Sequence, residues 1–167
     1  PCVISSPHIP RANTAAYCAS SGILGELYTL NVGIGYTLPF EVFGASWIDA
    51  EQLAKNLNVL KLEGVLFRPI HYKPFYSAQK DSVLHGVQMH ITNKEKAQLT
   101  LIQFYVLQEC HKLWPDKDVF EMCDQSRWRM FDQVCGTDKV RKTFSQTFTV
   151  ESIKKIWTQD VEPFKEK

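Results

Sequence analysis

"HGVQMHITNKEKAQLTLIQFYVL", residues 85–107, joins the clearest strand of the chain to its clearest helix. Val87, Met89 and Ile91 alternate with Gln88, His90 and Thr92, the two-residue period of a half-buried strand. Further on, "LTLIQFYVL" is apolar almost all round, as expected of a helix at the centre of a core. Thr92 and Glu95 have capping-box spacing and place the helix start there, and Pro115 should end it.

Upstream, "GVLFRPIHYKPF" reads as a second strand, which its two prolines confine to a sheet edge or a strand end. "WIDAEQLAKNLNVL" reads as a helix. Asp49 and Gln52 form its cap, Ile48 staples onto Leu53, and Leu53, Leu57 and Leu60 make one apolar stripe. "GILGELYTLNV", with Glu26, Tyr28 and Leu30 alternating against Leu27, Thr29 and Asn31, is predicted to be a strand as well. The region after Pro115 is helical: "SRWRMFDQVCG" stopped by Gly136, then "TDKVRKTF", then "TVESIKKIWTQDVEPF". The predicted class is α+β, a small mixed sheet packed by several helices, with strands early and helices late. Residues 1–22, rich in Pro, Ser and Asn, are expected to be an extended arm or linker, and residues 23–167 one α+β domain.

The chain has 167 residues, enough for one sizeable core. Its 19 basic and 18 acidic side chains leave a net charge of +1, without the footprint of a nucleic-acid binder. No apolar run reaches the length of a membrane span. Cys2, Cys18, Cys110, Cys123 and Cys135 are scattered without a CxxC pair and are expected to be free, mostly buried thiols. His71, His85 and His90 lack ligand-like spacing, so no metal and no cofactor is expected.

The segment "LNVGIGYTLPFE" tests a nucleotide reading. A dinucleotide fingerprint would place its third glycine where Leu38 stands and open a helix there, but Pro39 follows. A P-loop needs Gly-Lys-Ser/Thr, which is absent. Gly33 and Gly35 are therefore read as turn glycines, supplying positive φ or close backbone approach. Among polar residues, Glu26 stands amid leucines, and its bland reading is a solvated strand face. Gln88 and His90 share one strand face, with His71 and Tyr72 on a neighbouring strand. Together they form a candidate concavity for a sugar, against the alternative that His90 is a half-buried strand histidine bonded to backbone.

With these motifs in view, the chain resembles the C-terminal region of the NamZ-type exo-β-N-acetylmuramidases. The resemblance rests on "SSPHIP", "TLPFEVFGASWIDAEQLAKNLN", "GVLFRPIHYKPFYS", "GVQMHITN", "LWPDK", "FDQVCGTDKVRKTF" and "IKKIWTQDVEPFKE", in that order. It implies an exported or periplasmic glycoside hydrolase that removes N-acetylmuramic acid from non-reducing ends of peptidoglycan fragments. It also implies a Rossmann-like N-terminal domain that forms the cleft with this part, so the chain is expected to be truncated at both ends relative to the family. Against the family's Glu-Gly-Thr-Asn and Ser-Glu-Gly-Arg-Gly-Thr segments, Glu26 matches the first glutamate and is the candidate catalytic residue. Asn31, Val32 and Ile34 replace serine, glutamate and arginine, while Gly33 and Gly35 keep their places. Losing the arginine removes a bidentate carboxylate donor, so the expectation is either a different sugar or other donors such as Arg68. The candidate sugar-binding residues are Asn31, Tyr36, Arg68, His71, Gln88 and His90. The competing expectation is a non-catalytic glycan-binding or structural module. Self-association is expected if a face normally covered by the companion domain is exposed.

Overall fold

A computed structural model describes residues 6, 8–77 and 79–165. The class is α+β, with its strands in the first part of the chain and most helices after them. Three strands, β1 (Val42–Ala45), β2 (Val65–Tyr72) and β3 (Leu84–Ile91), form one sheet in the order β1-β3-β2. Both ladders are antiparallel, so the sheet is not mixed as expected. β2, which carries Pro69, lies at an edge, where a residue without an N–H is tolerated.

The helices of the first half are α1 (Thr14–Gly25), α2 (Ala50–Val59) and α3 (Leu99–Leu113). The short α4 (Val119–Met122) and a 3₁₀ turn at Gln125–Arg127 lead to α5 (Trp128–Cys135), α6 (Lys139–Thr147), α7 (Val150–Thr158) and α8 (Val161–Lys165). The apolar face of β3, with Val87 and Met89 fully buried, packs with α2 and α3 into the main core. α3 is the central helix: Leu101, Ile102, Phe104, Val106, Leu107 and Cys110 are all buried.

Several local expectations hold. Asp49 Oδ1 accepts from Gln52 N at 3.0 Å and caps α2. Ile48, Leu53 and Leu57 are buried together. Gly136, at φ 75°, ends α5 in the left-handed conformation that favours glycine. Gly33 and Gly35 have φ of 84° and 85°, and each lets another backbone come close: a Cβ would stand 2.2 Å from Leu38 O at Gly33 and 2.1 Å from Tyr76 O at Gly35.

Two expectations are corrected. Residues 14–25 form helix α1, neither an extended arm to residue 22 nor a strand beyond it. The alternation after Gly22 misleads because α1 buries the small polar side chains Thr14, Ser20 and Ser21 beside Tyr17, Ile23 and Leu24. The Ser20 hydroxyl donates to Ala16 O at 2.9 Å, and the Ser21 hydroxyl lies 2.9 Å from Phe40 O, so both are satisfied inside the protein. The fully buried Gln103 of α3 completes the packing: its Oε1 accepts from Ile23 N at 3.2 Å, and its Nε2 donates to Ala19 O at 3.4 Å. The second correction is the start of α3. Asn93, not Thr92, supplies the side-chain acceptor, to Glu95 N and Lys96 N, and it closes a turn; α3 begins only at Leu99.

Candidate functional site

Strand parity decides which candidates meet. The register pairs Arg68 with Gln88, Leu66 with His90 and Tyr72 with Leu84, so these side chains share the sheet face opposite the main core. His71 pairs with His85, and alternation puts both on the other face. Their Nδ1 atoms lie 2.7 Å apart, an arrangement separate from Gln88 and His90. His71 therefore does not join the expected concavity.

On the shared face the polar groups form a connected string. Arg68 Nε donates to Gln88 Oε1 at 2.7 Å. The Gln88 amide, 6% exposed, donates to Glu41 Oε2 at 3.4 Å. Glu41, 5% exposed, has its Oε1 2.7 Å from an Nη of Arg11, with no N–H aligned on that oxygen. A carboxylate taken this far from water must be paired to stay charged, and Arg11 is the only cation within ion-pair distance among the described residues. Sequence reading missed Glu41 and Arg11. An acidic residue after Phe40 reads as a solvated loop position, and its partners come from distant parts of the chain.

His90 is half-buried, and its Nε2 is enclosed without a hydrogen-bond partner, so the bonded strand histidine is not what the structure shows at that atom. Tyr36 stacks on Tyr72 with ring centroids 4.8 Å apart. The Tyr72 hydroxyl donates toward Asn31, 3.0 Å from Oδ1 and 3.1 Å from the carbonyl. Burial, with Tyr36 beside it, pushes that hydroxyl well above the usual tyrosine range, so it stays a neutral donor. Asn31 Oδ1 also accepts from Gly33 N at 2.8 Å, and its Nδ2 donates to Ile34 O at 3.2 Å. Asn31 thus holds the glycine turn against the sheet.

Glu26 lies elsewhere. It follows α1 as its C-cap, and Arg127 grips it twice: Nη2 to Oε2 at 3.1 Å and Nε to the Glu26 carbonyl at 2.8 Å. The guanidinium also sits 4.0 Å above the Tyr28 ring. Glu26 borders an open cavity of about 880 Å³ on the helical side, beside Cys18, Cys135 and Trp157. It also lines a smaller one of about 200 Å³ with Tyr28, Asn31, Ile34 and Phe40. Tyr28 and Phe40 have φ of 59° and 67°, a left-handed conformation that side chains resist and that often marks functional turns. Asn31, which accepts from Tyr72, also lines the smaller Glu26 pocket.

The replaced positions also have a structural explanation. Val32 is 3% exposed within the main core, and Ile34 packs partly buried against it. Their side chains face inward in this protein.

Fold and site together describe an α+β domain that presents a braced guanidinium, a buried amide and an enclosed imidazole on one sheet face, with a paired glutamate beyond the glycine turn. The model of the family "Exo-beta-N-acetylmuramidase NamZ, C-terminal" matches residues 17–167, and the chain belongs to that family. It is 29% identical over 164 residues to "Peptidoglycan beta-N-acetylmuramidase NamZ" of Bacillus subtilis (strain 168), covering 98% of this chain and 38% of that protein. A crystal structure of a DUF1343 family protein from Bacteroides fragilis NCTC 9343 superposes with a TM-score of 0.97 at 49% identity, covering 99% of this chain and 43% of the other. The chain thus spans about two fifths of the length of the relatives it matches.

Proposed function

We propose that this chain is the C-terminal, cleft-forming domain of an exo-acting peptidoglycan glycoside hydrolase that releases N-acetylmuramic acid from non-reducing ends. The observation that carries the reading is the shared sheet face bearing Arg68, Gln88 and His90 in a chain of the NamZ C-terminal family. In this reading Asn31 and Tyr36 shape the turn beside that face, and Glu26 supplies a site carboxylate. His71 has at most a peripheral role.

A companion domain from the same polypeptide, Rossmann-like by family resemblance, would form the opposite wall of the cleft and carry the second carboxylate that glycoside hydrolysis requires. The substrate's location implies export, to the periplasm or beyond. Among the described residues no helix is long and apolar enough to cross a membrane. Without its companion the domain exposes Leu66, Phe75 and Val83 and is expected to self-associate.

The test is release of N-acetylmuramic acid from a MurNAc-GlcNAc disaccharide by the full-length gene product, beside this 167-residue chain. Activity only in the full-length protein, cut at least about a hundredfold by Glu26→Ala and by His90→Ala, is the expected result. Wild-type rates in both variants would remove the site assignment. No turnover by the full-length protein would favour the glycan-binding module, whose motivation is that Val32 and Ile34 turn inward.

A further inference from the structure

We infer that Arg68 is the receptor for a carboxylate on the sugar, and that Glu41 is a positioning residue holding it through Gln88; the inference rests on the sugar-site reading above. Arg68 is solvent-exposed, and no carboxylate pairs with it among the described residues. Among the described residues, the one hydrogen bond its side chain makes uses Nε. That choice has a geometric consequence. A guanidinium can grip a carboxylate side-on through Nε and one Nη, or end-on through both Nη groups. With Nε committed to Gln88, the end-on edge remains and presents two parallel donors.

An exposed arginine ordinarily samples many rotamers, and fixing it costs binding energy. Here the cost is met before any ligand arrives. Gln88 is buried and cannot swing away, and its amide is oriented by Glu41, which in turn sits against Arg11. Glu41 also fixes the amide's sense: a carboxylate only accepts, so Gln88 must turn its NH₂ toward Glu41 and its oxygen toward Arg68. The string orders one guanidinium without neutralising it, because the Glu41 charge is matched by Arg11. A neutral sugar gains little from such an edge. A sugar bearing a carboxylate, such as the lactyl ether of N-acetylmuramic acid, gains a charge-assisted pair.

The experiment measures binding to the full-length protein, by calorimetry or ligand-observed NMR, of N-acetylmuramic acid, its neutral lactyl amide and N-acetylglucosamine; hydrolysis is assayed separately. Wild type should prefer the acid over the amide by roughly 10- to 100-fold. Arg68→Gln should abolish that preference, weakening the acid at least about tenfold more than N-acetylglucosamine, and Arg68→Lys should keep only part of it. Glu41→Gln lets the Gln88 amide flip, and should cost the acid alone about 3- to 10-fold. A merely structural role for Glu41 would weaken all three ligands together. A preference that survives Arg68→Gln overturns the inference and leaves the hydrolase reading intact. An Arg68-dependent preference without any hydrolysis sustains the inference and sinks that reading. No discrimination by the wild type overturns the inference outright.

Discussion

Gly35 and Gly136 share a backbone conformation and differ in their surroundings, which allows a controlled test of the turn. At Gly136, φ is 75° and no atom lies within 4 Å of the point where a Cβ would stand. Gly136→Ala therefore incurs only the left-handed penalty, about 1–2 kcal/mol, offset by about 0.4–1 kcal/mol because alanine has less freedom in the unfolded chain. The net is roughly 1 kcal/mol. At Gly35, φ is 85° and the added carbon would stand 2.1 Å from Tyr76 O and 2.9 Å from its carbonyl carbon. These are backbone atoms, so no rotamer change relieves them, and residues 75–76 must move by about an ångström to reach ordinary van der Waals separation. That movement also breaks the 2.7 Å hydrogen bond from Phe75 N to Gly35 O, worth about 1 kcal/mol. Gly35→Ala should thus cost about 3 kcal/mol or more in sum. For a chain of this size each kcal/mol lowers Tm by about 2–4 °C. Thermal unfolding monitored by circular dichroism should show losses of about 2–4 °C for Gly136→Ala and about 6–12 °C for Gly35→Ala. Equal shifts would mean that the close approach of residues 75–76 contributes nothing, and would refute the claim that the glycine is there for the contact.

Two further outcomes are expected. Tyr72→Phe removes one donor to Asn31, whose Oδ1 keeps Gly33 N and whose carbonyl keeps Gly44 N, so urea denaturation should show a loss of only about 0.5–1.5 kcal/mol with an unchanged m-value; an unaltered midpoint would show that the hydroxyl is dispensable. Burial, with Asp132 nearby, pushes the Cys135 thiol up to about 12 from an ordinary value near 9, so its contribution to stability is complete below about pH 9 and is lost as pH rises toward 12. At pH 8 native Cys135 should react with a disulfide reagent far more slowly than after unfolding, and equal rates would contradict the upward shift of its thiol.

What the sequence made legible is local. The Asp49 cap, the Gly136 stop, the β3 alternation and the glycine turn each depend on a few neighbouring residues, and each is found. What escaped depends on distant partners. α1 buries Ser21, whose hydroxyl meets Phe40 O, and Gln103 reaches across from α3 to its backbone, and neither partner is near in sequence. Glu41 becomes a buried carboxylate only because Gln88 and Arg11 arrive from other segments. His71 fell on the wrong face because the register, not the composition of either strand, decides which side chains meet, and a one-residue slip would reverse every assignment.

The same distinction separates the turn from the side chains around it. Gly33 and Gly35 are constrained by backbone: carbonyls stand where any Cβ would go, so substitution there distorts the chain itself. Positions 32 and 34 carry no such backbone constraint, and here they are filled by Val32 in the core and Ile34 against it. A charge at either position would need a partner or a path to water. With apolar side chains there, the turn keeps its shape through Asn31 and the tyrosine pair. On the sheet face, meanwhile, Gln88 holds the Arg68 guanidinium in place. Scaffold and recognition are thus physically separable: backbone sterics set the first, and a string of side chains that can be altered one at a time sets the second.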